Sequence, residues 1–264
     1  MADTSSFRSL GALPDLSVDA VRNLSTLVSD LLNGHPTELS LMTPALMLGA
    51  PDMKAVRDAM LPPPDKSVVH ETQRFWRAAS ATHSGPSEVS ISQDTSEETA
   101  KFTFRLTLGN ELSSEMETRL RFVSVDQMSQ LKGAKFAARM ATDDAIVETT
   151  LPLSATAVGA YVALAHDANP IHVDVLAAKA AGLVGPVVPG MLLCALIEAA
   201  YQKAAGIQDA AEMKTRFMAP VPVDEATRLV LVPRGPAGAW QQARVFCVTE
   251  GNMIAAISDI RGVA

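Results

Sequence analysis

Residues 161–191 read YVALAHDANPIHVDVLAAKAAGLVGPVVPGM, and the kernel Asp167-Ala168-Asn169-Pro170-Ile171-His172 decides how the rest is understood. Upstream, Ser154 is placed to cap a helix that runs to about Ala165. Pro170 has no amide hydrogen to donate and biases Asn169 away from helical angles, so the helix must stop before it. Asp167 and His172 therefore hang from an irregular turn. On an unbroken helix they would not share a face, whereas a turn can fold them toward one point. A carboxylate beside an imidazole pairs an acceptor with a group that titrates near neutrality, which suits the movement of protons on a carbon framework. The same residues also fit a plainer arrangement, an aspartate capping the next helix and a histidine on a surface loop. A metal centre is disfavoured, because Asp167, Asn169, His172 and Asp174 follow no strong ligand spacing.

Further along, Gly190-Met191 opens a second predicted helix over residues 190–205. Its Leu192, Leu193, Cys194, Leu196 and Ile197 leave almost no polar face. Such a helix has to be surrounded, and a curved antiparallel sheet would do so. Strand-like runs follow at 213–218, 226–232, 239–248 and 253–261. The first half has the same order: an amphipathic helix over 17–33 with Ser17 as its cap, then strand-like runs at 67–76, 87–92, 101–108 and 115–125. One fixed offset lays Arg74-Phe75 on Arg216-Phe217, Phe104 on Phe246, Thr107 on Thr249, Asn110 on Asn252 and Arg119 on Arg261. A duplicated unit held in one register without a gap is the expectation. The division that follows is an N-terminal repeat over 1–127, a largely polar connection over 128–145 and a C-terminal repeat over 146–264.

With 264 residues, 48 % of them hydrophobic, the chain can bury a substantial core. Acidic residues outnumber basic ones by 29 to 22, and a net charge of -7 argues against a nucleic-acid partner. Cys194 and Cys247 lie in apolar surroundings and read as buried free thiols of a reducing compartment. The first residues are acidic and lack a signal-type apolar core, so a cytoplasmic location is expected. The longest apolar run, 187–197, is broken by Pro189 and falls short of the ~20 residues that span a bilayer. No membrane partner is expected.

The kernel resembles the MaoC-like, or (R)-specific enoyl-CoA hydratase, family of hot-dog proteins. The resemblance rests on the lead-in Tyr161-Val162-Ala163-Leu164, the kernel itself, Ala178 beyond it, and Gly190-Met191 at the start of the apolar helix. Four fixed residue types in that order arise by chance in a chain of this size on the order of once in a thousand, at ~5 % per type. It is strong over about 146–264 and architectural over the first half. What it implies is an α+β double hot-dog, an antiparallel sheet wrapped around long central helices. It also implies a hydro-lyase that hydrates trans-2-enoyl thioesters, or dehydrates 3-hydroxyacyl thioesters, of coenzyme A or acyl-carrier protein. Asp167 and His172 would be the acid-base pair and the Gly190 amide would bind the thioester oxygen. Asn169, Pro189 and Met191 would contact substrate, Asn169 mainly by holding the turn. No cofactor is called for, and a homodimer of the double units is one assembly the resemblance allows.

Two departures stand out. The family carries Gly before the aspartate, where this chain has His166, and His before Gly-Met, where this chain has Pro189. Pro189 suits the first turn of a helix and keeps the Gly190 amide, while the polar help of the absent His is lost. The first half offers only Asn33-Gly34-His35-Pro36-Thr37-Glu38 as a loose counterpart to the kernel. Its Met42, Met47 and Met53 could line an acyl tunnel or simply fill the core. Lys179, Lys214 and Arg216 are candidates for the nucleotide end of coenzyme A. A non-catalytic acyl-binding subunit and a hot-dog thioesterase are the alternative functions.

Overall fold

The computed structural model describes residues 7–12, 18–50, 53–78, 87–108, 111–207, 209–235 and 240–263. Ser17 and Asn110, given roles above, lie outside them. The strands are β1 (Arg8–Ala12), β2 (Ser67–Arg77), β3 (Ser87–Thr95), β4 (Thr99–Leu108), β5 (Glu111–Val123), β6 (Ile146–Thr149), β7 (Ala210–Phe217), β8 (Thr227–Pro233), β9 (Gln242–Thr249) and β10 (Ile254–Gly262). The helices are α1 (Val18–Leu31), α2 (Thr43–Met47), α3 (Lys54–Ala59), α4 (Val125–Ser129), α5 (Ala155–Ala165), α6 (Val175–Ala180) and α7 (Gly190–Ala205).

All ten strands form one antiparallel sheet in the order β1-β3-β4-β5-β2-β7-β10-β9-β8-β6. Read outward from the β2–β7 junction the two sides mirror each other, so the repetition expected from the sequence is present as strand order. The gapless register is not. Phe75 lies opposite Met116 and Phe217 opposite Ala256. Matching Phe75 to Phe217 therefore carries Arg119 to Asp259, and not to Arg261. Phe104 points into the main core, whereas Phe246 points away from it into a second cluster beneath Phe136. A slip of one residue turns a strand's side chains over, so the Phe104–Phe246 identity is a coincidence of spelling.

The second half builds its layer from α7, in which every residue from Leu192 to Gln202 is buried, as its lack of a polar face requires. The helix packs against β7, β8, β9 and β10. In the first half the corresponding layer is made of short pieces, α2 and α3, of five and six residues. Pro44 stands in the first turn of α2, and Gly49 ends this stretch so close to α5 that an added Cβ would lie 2.9 Å from Ala165 O. Three prolines, Pro62, Pro63 and Pro64, then forbid any continuation. Met42, Met47 and Met53 are buried among these pieces as core filler.

The two halves share that core. Glu198 and Gln202, both on α7, reach the 37–41 segment of the first half. Glu198 Oε1 accepts from Leu41 N at 3.0 Å and Ser40 Oγ at 3.3 Å. Gln202 Oε1 accepts from Thr37 Oγ1 at 2.8 Å, and its amide donates to Glu38 O at 2.6 Å. Burial pushes the Glu198 carboxyl up to about 8 from its ordinary 4.5. The polar connection is no free tether either: Phe136, Met140, Ala141 and Ala145 cover the outer face of the sheet over Val230, Phe246 and Ile254. Among the described residues no helix is long and apolar enough to cross a membrane.

Candidate active site

Helix α5 begins where Ser154 Oγ accepts from Ala157 N at 3.2 Å and ends at His166, whose φ of 47° and ψ of 41° are left-handed. That conformation costs a residue with a Cβ and suits glycine, which explains the structural meaning of the first departure. Asp167 N follows by donating to Val162 O at 3.0 Å. Asp167 Oδ1 then accepts from Asn169 N at 3.0 Å, and Asn169 Oδ1 from Ile171 N at 3.4 Å. Two side-chain acceptors in succession thus wind the turn, and Pro170 opens a single 3-10 turn ending at His172.

The turn brings the expected pair together, with Asp167 Oδ2 3.6 Å from His172 Nε2. Asp174, not Asp167, caps the next helix, accepting from Leu176 N at 2.7 Å and Ala177 N at 3.1 Å. His172 is tied down on its far side. Its Nδ1 lies 2.7 Å from Val187 O, while Val187 N donates to Ile171 O at 3.2 Å. A carbonyl can only accept, so Nδ1 carries the hydrogen and the lone pair of the neutral ring sits on Nε2, facing Asp167. The separation of 3.6 Å is too long for a direct bond and leaves both atoms able to hold one water at about 2.8 Å.

Both groups line a cavity of about 600 Å³, as do Asn169, Pro189, Gly190 and Met191. Pro189 is the residue before the first turn of α7 rather than within it, with φ of -57° and ψ of 133°. Its carbonyl accepts from Leu192 N and Leu193 N, so the amides of Gly190 and Met191 head the helix at its positive end. Gly190 has no room for a side chain: an added Cβ would lie 3.0 Å from the Phe217 ring and 3.2 Å from His70 Nδ1.

Several features of this cavity were not legible as motifs. It is built from both halves of the chain, with Leu48, Arg57, Met60, His70 and Leu120 of the first half among its lining. His70 is held there from β2 and is lowered by burial to about 4 from 6.5, so it is neutral. Tyr161, buried and beside Asp167, is raised well above its ordinary value, first by burial and then by that charge. Of the three lysine and arginine candidates for the nucleotide end, Arg216 lines the cavity, and Lys179 and Lys214 do not. The loose counterpart in the first half does not reach the cavity at all. Cys194 and Cys247 are free and buried, each thiol pushed up to about 12 by burial, which makes them inert.

Residues 138–252 match the family described as "MaoC like domain". No curated protein matches the sequence. Among solved structures, HtdX of Mycobacterium tuberculosis is 14 % identical, with 98 % of this chain and 100 % of that one aligned at a TM-score of 0.67. A MaoC-like dehydratase from Phytophthora capsici is 12 % identical over 98 % and 96 % of the two chains, at 0.70. An acyl-ACP thioesterase from Bacteroides thetaiotaomicron is 8 % identical over 97 % and 96 %, at 0.52. At such identities the likeness establishes the hot-dog fold, and the fold alone does not choose between dehydratases and thioesterases.

Proposed function

With a MaoC-like domain over residues 138–252 as the premise, we propose that the protein is a hydro-lyase that adds water across the double bond of a trans-2-enoyl thioester, or removes it from the (R)-3-hydroxyacyl thioester. The observation that carries this reading is the convergence of Asp167 Oδ2 and His172 Nε2, 3.6 Å apart, on a cavity that also holds the first amide of α7. Water held between the two groups loses a proton to Nε2 as its oxygen bonds to C3. The electrons of the double bond move toward the thioester oxygen, where the Gly190 amide and the helix dipole stabilise the enolate-like charge. The imidazolium, steadied by the Asp167 carboxylate, returns the proton to C2. One O–H bond and the π bond between C2 and C3 have then been replaced by a C–O and a C–H bond, with no net proton change. The reverse sequence is the dehydration. No resident metal or redox group has a part in this sequence.

The substrate is a thioester of coenzyme A or of an acyl-carrier protein, and Asn169, Pro189 and Met191 contact it from the turn and the helix start. Purified protein is mixed with crotonyl-CoA while the enoyl absorbance and free thiol are followed together. Loss of absorbance without thiol supports hydration. Release of thiol would make the protein a thioesterase, and neither change across a panel of acyl lengths would make it a binding subunit.

A further inference from the structure

His70 has no task in that chemistry, yet its placement is elaborate. It comes from the half of the chain that lacks the catalytic pair. Between His70 and Thr72 the β2–β5 ladder slips, leaving Glu71 as an extra residue. Such a bulge re-aims the side chains beside it. The Glu71 carboxylate sits beside two arginines of β5, its Oε1 2.9 Å from Arg121 Nε and its Oε2 3.3 Å from Arg119 Nε.

The ring itself is fixed on one face and at one nitrogen. Its plane rests on Phe217, with centroids 4.4 Å apart. Nε2 lies 3.1 Å from Gln73 Oε1, which also accepts from Thr118 Oγ1 at 2.8 Å. Gln73 in turn donates its amide toward Arg74 O at 3.4 Å, so its oxygen is the atom facing the imidazole. Nε2 therefore carries the hydrogen, and the lone pair of the neutral ring is on Nδ1. Nδ1 is the atom that faces Gly190. The cavity wall thus offers an acceptor, aimed from the first half, next to the amide that the second half presents as a donor.

We propose that His70 Nδ1 accepts a hydrogen bond from the amide N–H that lies two methylenes beyond the thioester sulfur in every pantetheine-borne acyl group. This rests on the thioester reading, and it divides the labour of the two halves. The second half holds the thioester oxygen and performs the chemistry, while the first half recognises the arm that carries it. The direction is consistent along the sheet: Gly190 is followed by His70, and Thr72 on the same strand pairs with Arg216, which lines the cavity and is exposed.

The test compares two carriers of the same shape, N-acetylcysteamine and its oxygen isostere 2-acetoxyethanethiol, which lacks the N–H. The saturated butanoyl thioesters are titrated into wild-type protein by calorimetry, and the crotonyl thioesters are assayed for hydration. Wild type is expected to bind the butanoyl amide about tenfold or more tighter than the ester. In His70→Leu or His70→Phe, each checked for a native melting transition, that ratio falls to near one. His70→Asn, whose side-chain oxygen can take the place of Nδ1, restores most of it. Equal binding of the two carriers by wild type, or a preference that survives both His70→Leu and His70→Phe, would overturn the proposal. A binding preference that depends on His70, with no turnover of either crotonyl thioester, would leave it standing and remove only the hydration reading.

Discussion

After α5 the chain turns through Asp167 to His172, and the two side chains converge on an open cavity. After α1 it turns through Asn33 to Glu38, where Asn33 and Gly34 have φ of 61° and 79° and the backbone is spent on Gln202 of α7. Both turns follow a helix and precede the strands of one side of the same sheet. Only the first of them meets a helix start and a cavity, and the second is sealed against the far end of that helix. A repeated architecture therefore offers two equivalent corners, and chemistry can settle only at the corner whose polar groups face empty space. The half without the pair still contributes a wall, an oriented imidazole and the partners that hold α7 in place.

The sharpest way to break this comparison is to remove the pair from one corner and the loose counterpart from the other. Asp167→Asn and His172→Gln should each lower enoyl-thioester hydration by roughly 10²- to 10⁴-fold, with little change in melting temperature. Glu38→Gln should leave turnover within about twofold, measured in the same assay. A comparable loss from Glu38→Gln would mean that the first corner is part of the site.

The seam between the halves gives the next effect. Glu198 is pushed up to about 8 by burial, against 4.5 when exposed. Between those values the folded protein holds one proton more than the unfolded chain, so stability falls as pH rises through the window, by about 1.4 kcal/mol per pH unit. Glu198→Gln removes this contribution. Denaturant melts from pH 4.5 to 8 should diverge steadily in favour of the variant, and parallel curves would show that the carboxyl is ionised when folded.

Two glycines sharpen the contrast between a working helix start and an ordinary helix. Gly190→Ala forces a methyl against Phe217 and His70 at 3.0 to 3.2 Å, for which about 1–3 kcal/mol of stability and most of the turnover should be lost. Gly159 lies within α5 with nothing within 4 Å of an added Cβ, and Gly159→Ala should stabilise by about 0.5–1 kcal/mol. Thermal melts of the two variants, run together, would separate a steric role from a merely helical one. An effect of similar size is expected at His166, where replacement by glycine relieves the left-handed backbone and should raise stability by about 1 kcal/mol. An unchanged or lower melting temperature there would mean that the imidazole makes a stabilising contact.

Much of this was readable in the residues because it is local. Pro170 had to end α5, Asn169 and Asp167 are types that wind a turn with their own oxygens, and an apolar run such as 192–197 had to be enclosed. The strands announced themselves by alternation, while β1, β6 and the short helices α2, α3, α4 and α6 were too brief to do so. His70 gave no local signal. It sits in an ordinary strand, and its aim depends on a bulge that appears only when β2 is paired with β5. The register of the repeat departs from the fixed offset for a related reason. Identities at one offset are blind to which face of a strand a side chain occupies, and Phe104 and Phe246 occupy opposite ones.

The amino-acid order by itself determined where the chain must bend, which helix must be covered, and which acid and imidazole share a corner, because each of these follows from forces acting over a few neighbouring residues. Only the folded molecule decided that one corner opens on a cavity while the other is sealed, that a histidine from the far half stands beside Gly190, and that α7 is clasped by the first half through Glu198 and Gln202. Those outcomes depend on contacts between residues more than a hundred positions apart, whose distance is set by sheet pairing and burial rather than by anything written locally.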